Sequence, residues 1–257
     1  MKKINITITG ALGRMGQILI KRISKNKNLK LFSLTDLKSG KKVKDLKTQN
    51  NSLQAFKKTD VIIDFSRPKS SIEILNFARK LKKKIIIGTT GFTKKEENII
   101  KNCSKRIAIF KSGNMSLGIN LLVYITKILT KKIPSDYQIG ITDNHHNAKV
   151  DYPSGTALML ASAVAKGKGK NLDKLKGKFF LNKKGKLQRS KINFFIKRKG
   201  KTVGKHSVIY NTKIENIELK HTAFSREMFA DGALNAAMWI RKKSKGLFNM
   251  QDMLNLK

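Results

Sequence analysis

The sequence predicts an α/β protein in which a doubly wound parallel sheet is joined to a second, smaller α+β domain. Three observations predict it. Short apolar runs alternate with amphipathic stretches from Ile4 to Phe110, the rhythm of strand–helix units on a parallel sheet. A glycine-rich turn, Gly10 to Gly16, joins the first run to the first helix. Beyond Met115 that rhythm stops, and segments of apolar–polar alternation follow a long apolar helix.

Taken in order, Ile4–Thr9 is β-rich, and Met15, Ile18, Leu19 and Ile23 then recur at helical spacing. Leu29–Leu34 alternates as a second strand ending at Asp36, and Lys38–Lys58 is polar and reads as a variable connection. Val61–Phe65 and Ile85–Gly88 are continuous apolar runs, as strands covered on both faces are. Helices are expected over Ile72–Leu81 and Glu96–Asn102, with a further strand at Ile107–Phe110. Past the boundary near Met115 come a helix (Leu117–Leu129), a strand (Tyr137–Ile141), a polar loop and a helix (Thr156–Ala165). Lys166–Lys186 is a basic connection; Lys191–Lys197, Thr202–Tyr210 and Ile214–His221 read as antiparallel strands, and Ser225–Ile240 as a closing helix. The expected domains are residues 1–115 with 226–257, and residues 116–225 between them.

The chain has 257 residues with 56 Lys+Arg against 16 Asp+Glu, a formal net charge of +40. Such a balance ordinarily suggests nucleic acid. Yet 47 of the basic residues are Lys and 9 are Arg, spread through nearly every segment without an aromatic platform. With Asn and Ile abundant and only 3 Pro, this is the composition of a coding sequence drawn toward AT-rich codons, and no nucleic-acid partner is expected. No apolar run approaches the roughly 20 residues that span a bilayer. Met1-Lys2-Lys3 leads into a strand and a glycine turn and not into a secretory apolar region, so a cytoplasmic protein without membrane attachment is expected. A single cysteine, Cys103, excludes an internal disulfide and a cysteine metal cluster.

Gly10-Ala11-Leu12-Gly13-Arg14-Met15-Gly16 lies where backbone must turn tightly and approach a pyrophosphate at a helix N-terminus. Asp36, 20 residues beyond Gly16, closes the second strand and is placed to accept ribose hydroxyls. Its carboxylate repels a 2′-phosphate, which favours NADH over NADPH, while the surplus of lysines leaves dual use open. Gly88-Thr89-Thr90-Gly91 supplies small residues and hydroxyls for a nicotinamide ring.

Residues Asp143–Leu158 carry the densest chemistry. His145 and His146 stand together, Lys149 follows, and Pro153-Ser154-Gly155-Thr156 opens a helix whose Ser154 is a natural N-cap. Amides of Gly155 and Thr156 at that N-terminus suit one carboxylate of a small dianionic acid. His146 or Lys149 suits the other, and His145 or Lys149 is the candidate proton donor as hydride arrives. A metal is the poorer reading, since no third ligand stands at suitable spacing.

Asn144–Leu158 resembles the signature of the 4-hydroxy-tetrahydrodipicolinate reductase (dihydrodipicolinate reductase) family. So do Gly13-Arg14-Met15-Gly16, Asp64-Phe65-Ser66-Arg67-Pro68, Gly88–Phe92, Gly113-Asn114-Met115-Ser116-Leu117-Gly118, and Phe229–Ala233 through Met250, in order along nearly the whole chain. The resemblance implies an N-terminal Rossmann domain, a C-terminal substrate domain that forms a homotetramer, and hydride transfer from NADH or NADPH in diaminopimelate and lysine biosynthesis. It implies cofactor contacts at Gly10, Ala11, Leu12, Gly13, Arg14, Met15, Gly16, Asp36, Gly88, Thr89, Thr90, Gly113, Asn114 and Met115. His145 and Lys149 become the proton-donor pair, with Lys149 favoured as donor; His146, Lys149, Gly155 and Thr156 become the contacts to a dicarboxylate substrate. Other readings are a related reductase for another dianionic acid and a nucleic-acid or nucleotide sensor on the same scaffold.

Overall fold

The computed structural model describes residues 3–256, so the opening Met1-Lys2 lies outside the described residues. The chain divides into two compact units, Met1–Ser116 with Arg226–Lys257, and Leu117–Ser225.

In the first unit β1 (Ile4–Thr9) leads through the glycine turn to α1 (Arg14–Ser24) and β2 (Leu29–Thr35). The stretch read as a variable connection contains β3 (Lys42–Val43), β4 (Leu46–Gln49) and α2 (Leu53–Phe56), elements too short to leave a periodic signal. Then follow β5 (Val61–Asp64), α3 (Pro68–Lys80), β6 (Lys84–Ile87), α4 (Lys94–Ser104) and β7 (Ala108–Lys111). The sheet order is β7-β6-β5-β1-β2-β4-β3, parallel except for the β3–β4 pair. The chain moves outward from β1 to β2 and returns to β1's other side at β5, so β1 and β5 flank a switch point where the ends of strands form a crevice. Ile62, Ile85, Ile87 and Ile109 are buried with Ile74, Leu75, Ala78 and Ile100 of α3 and α4.

The second unit contains α5 (Leu117–Lys132), β8 (Gln138–His145), α6 (Gly155–Gly167), α7 (Leu172–Leu175), β9 (Lys176–Leu181), β10 (Ile192–Arg198), β11 (Gly204–Asn211) and β12 (Asn216–Ala223). Sheet order is β12-β11-β8-β10-β9. Ile139, Ile141, Phe194, Ile196, Val208 and Tyr210 share its core with residues of α5 and α6. Two expectations are corrected here. β10 runs parallel to β8 and β9, whereas β11 is antiparallel to both β8 and β12. Apolar–polar alternation reports one covered face and is blind to strand direction. β9 lies inside the expected basic connection; its lysines suit an edge strand, whose charge discourages pairing with another chain.

The chain then returns to the first unit with α8 (Glu227–Ile240), β13 (Gly246–Phe248) on the free edge of β7, and α9 (Met250–Met253). Trp239 of α8 packs edge-on against Phe110 and Phe248, on the sheet face opposite to α3 and α4. Arg22 of α1 forks onto Asp231 of α8 at 2.7 and 2.9 Å. Gly232 is buried where an added Cβ would stand 1.7 Å from the Met115 carbonyl oxygen. Gly232→Ala is therefore expected to cost about 1–3 kcal/mol. Thermal unfolding would show this as a Tm lowered by about 5 °C.

Candidate active site

At the switch point, Gly10 has φ +68° and leaves no room for a side chain, since a Cβ would lie 2.6 Å from the Phe65 carbonyl oxygen. A Cβ on Gly16 would lie 2.3 Å from the Gly10 carbonyl oxygen, so the first turn of α1 sits directly on the loop. The Gly13 N-cap contributes no side-chain hydrogen bond to the helix amides. This glycine cradle is the geometry a pyrophosphate requires, and the residues present fit a dinucleotide. A cleft of about 430 Å³ opens beside it, lined by Gly10, Leu12, Gly13, Asp36, Arg67 and Ser70 among others. Asp36 is half-buried and accepts the Leu12 amide at 2.9 Å through one oxygen.

A buried carboxylate that sequence reasoning left without a role organises this end of the sheet. Asp64 accepts Thr9 Oγ1 at 2.6 Å, Ser66 Oγ at 2.5 Å, Thr89 Oγ1 at 3.0 Å, the Ser66 amide at 3.1 Å, and the Ser71 hydroxyl. Thr89 is thereby committed: its hydroxyl serves Asp64, whereas Thr90 is exposed. Gly88 is held against the Phe65 ring, where a Cβ would approach to 2.2 Å. Gly113 lies 4.0 Å, measured from an added Cβ, from Thr90 Cγ2. Asn114 and Met115 are buried, and Asn114 Oδ1 accepts the Ser116 amide at 2.9 Å.

In the second unit one predicted residue, His145, stands beside another buried carboxylate, Asp143. β8 extends past the expected end at Ile141 and places His145 on the strand itself. Side chains on the core face of β8 run Ile139, Ile141, Asp143, His145; those of β10 run Ile192, Phe194, Ile196, Arg198; those of β11 run Tyr210, Val208, His206. Three strands thus end their apolar stripes in polar residues at the same level, with His206 directly across from Asp143. Asp143 Oδ2 accepts the Ser154 amide at 2.7 Å and Arg198 Nη2 at 3.0 Å. Its Oδ1 stands 3.0 Å from His145 Nδ1 and 3.2 Å from His206 Nε2, without a well-aligned hydrogen bond from either ring. The two rings meet edge to face at 4.9 Å between centroids.

Burial alone would raise the Asp143 carboxyl pKa, but contacts with His145, His206, the Ser154 amide and Arg198 overcome it and hold the group well below the usual carboxylate range. Burial pushes His206 down, against the pull of Asp143. Asp143, His145 and His206 bring ligand-type atoms within 4.8 Å of one another, a convergence that linear spacing did not show. The cation this carboxylate meets is the Arg198 guanidinium.

Arg198 reaches further. Its Nη1 donates to the Asp143 carbonyl at 2.8 Å and its Nη2 to the Asp151 carbonyl at 2.9 Å. The Asp151 carboxylate in turn grips Lys149 Nζ at 2.7 and 2.8 Å. His146 is half-buried, its amide bound to the Thr202 carbonyl at 2.8 Å. Ser154 caps α6 by accepting the Ala157 amide at 3.2 Å and also contacts His206 Nε2 at 3.1 Å. Gly155 is exposed at the same N-terminus.

Comparison with known proteins agrees with both halves. Residues 4–115 match the family model "Dihydrodipicolinate reductase, N-terminus", and residues 118–254 match "Dihydrodipicolinate reductase, C-terminus". The chain belongs to the dihydrodipicolinate reductase family. A relative from Pelagibacter ubique (strain HTCC1062), named 4-hydroxy-tetrahydrodipicolinate reductase, is 52% identical over 100% of both chains. One of the same name from Clostridium tetani (strain Massachusetts / E88) is 38% identical, covering 98% of this chain and 97% of the relative. Among solved structures, dipicolinate-bound dihydrodipicolinate reductase from Paenisporosarcina sp. TG-14 superposes with a TM-score of 0.79 at 20% identity, over 97% of this chain and 98% of the other. That likeness bears on the fold, an α/β chain whose N-terminal parallel sheet has the Rossmann arrangement.

Proposed function

We propose that this family member reduces 4-hydroxy-tetrahydrodipicolinate to tetrahydrodipicolinate, with water as the second product, in diaminopimelate and lysine biosynthesis. The observation that carries the reading is the linking of His145 and Lys149 to the buried Asp143 carboxylate at the N-terminus of α6, His145 directly and Lys149 through Asp151 and Arg198. The reduced nicotinamide supplies hydride. Lys149 supplies the matching proton from Nζ, and His145 orients it and the substrate. Lys149 Nζ donates to both oxygens of the Asp151 carboxylate, and the same ammonium is assigned to donate to a substrate carboxylate. His146 and the amides of Gly155 and Thr156 are assigned to the substrate's carboxylates.

For the cofactor, residues 1–115 and 226–257 are assigned to dinucleotide binding, with Gly10 to Gly16, Asp36, Gly88 to Thr90 and Gly113 to Met115 as contacts. NADH is the preferred form and NADPH is also accepted: Asp36 faces the cleft, yet one of its oxygens is engaged by Leu12, and Lys38 and Arg67 line the same wall. Residues 116–225 hold the substrate and the surface of a homotetramer in the cytoplasm. Among the described residues no helix is long and apolar enough to cross a membrane. Paired steady-state assays, using the product of the upstream synthase, are expected to show turnover with both cofactors and a higher kcat/KM with NADH. Turnover with neither cofactor refutes the reaction, and a higher kcat/KM with NADPH refutes the role given to Asp36.

A further inference from the structure

Asp143 is fully buried, and burying a carboxylate is unfavourable unless charge and hydrogen bonds replace the lost water. Its partners come from four places: His145 on its own strand β8, Arg198 on β10, His206 on β11 and the Ser154 amide at the cap of α6. The outer contacts of those partners lead to the reacting groups. Arg198 joins Asp143 to the Asp151 carbonyl, and the Asp151 side chain holds Lys149. The Ser154 amide ties Asp143 to the helix end assigned to a substrate carboxylate.

We propose that Asp143 is a positioning residue for both members of the proton-donor pair, acting on His145 directly and on Lys149 through Arg198 and Asp151. The assignment of that pair rests on the reductase reading given above. Asp143 does not touch the reacting atoms. Asp143 Oδ1 stands 3.0 Å from His145 Nδ1, and a carboxylate at that distance favours the tautomer with its proton on Nδ1. Arg198, with a side chain 7% exposed, is balanced by this carboxylate; without it a buried guanidinium is left unpaired and the Asp151–Lys149 segment loses its anchor.

The test compares wild type, Asp143→Asn, Asp143→Glu and Arg198→Lys by turnover, by thermal unfolding and by 15N NMR of ring-labelled histidine. Asp143→Asn keeps the shape and removes the charge; kcat is expected to fall about 10²-fold, the scale of a mispositioned acid–base pair. KM for NADH stays within about twofold, because the cofactor contacts are assigned to other residues. In wild type the His145 signals report one tautomer protonated at Nδ1, and in Asp143→Asn they report a mixture. Asp143→Glu restores the charge and recovers most of kcat. An unchanged kcat with an unchanged tautomer overturns the proposal. So does a parallel loss of Tm and kcat that Asp143→Glu does not recover, which is the signature of a purely structural role. If Asp143→Asn does not fold, Arg198→Lys decides: it keeps a cation but loses the fork, so kcat is expected to fall about tenfold, and an unchanged kcat overturns the proposal. If wild type shows no turnover, the reductase reading fails by itself, and the tautomer comparison alone supports or overturns the role of Asp143.

Discussion

Lys149→Ala is expected to lower kcat by about 10²-fold or more while leaving Tm within a few degrees of wild type. The side chain is 22% exposed, and its contact is the 60% exposed carboxylate of Asp151, a pair that adds little to stability. The β8–β10–β11 core beneath it is made by other residues. Lys149→Arg separates the two roles assigned to this side chain. A guanidinium still pairs with a carboxylate but does not release a proton near neutral pH, so KM is expected to recover and kcat is not. A kcat within threefold of wild type in Lys149→Ala would move the proton donor to His145.

Gly16→Ala is expected to weaken NADH binding by about tenfold or more, the affinity equivalent of the ~1–3 kcal/mol that overpacking costs. The new Cβ would stand 2.3 Å from the Gly10 carbonyl and 2.7 Å from Ala11 Cα, both backbone atoms that move only if the whole loop moves. Gly13→Ala is the internal comparison: its nearest neighbour is the Gly10 carbonyl at 3.2 Å, and a much smaller loss is expected. Calorimetric titration of both variants with NADH checks the ranking. Equal losses would show that the crowding at Gly16 is not what shapes the cradle.

The first unit was legible because its strands are short, apolar and separated by helices, so composition and periodicity carry the same message. Val61–Asp64 and Lys84–Ile87 illustrate this, since strands covered on both faces need no alternation to be recognised. The short elements between Lys42 and Phe56 were not legible, because two to four residues carry no period. In the second unit alternation marked β10 but said nothing of its direction. His145, His146 and Lys149 were visible as a local cluster, whereas Arg198 and His206 were missed although both carry a signal. Each continues a buried apolar stripe in phase, after Ile196 and beside Val208, and an ionisable residue in phase with a core is rarely incidental. What sequence could not supply is the register that sets these residues around Asp143. Pairing between β8, β10 and β11 is decided by packing against α5 and α6 and not by any one strand.

The most direct test of the central claim follows the hydride itself. NADH deuterated at the nicotinamide carbon that gives up hydride would be incubated with the enzyme and the cyclic dicarboxylate made by the upstream synthase, and the product examined by mass spectrometry. The account predicts tetrahydrodipicolinate carrying one deuterium, formed in step with loss of the reduced cofactor and about 10²-fold or more slower in Lys149→Ala. Unlabelled product, or oxidation of the cofactor without reduction of the ring, would contradict it.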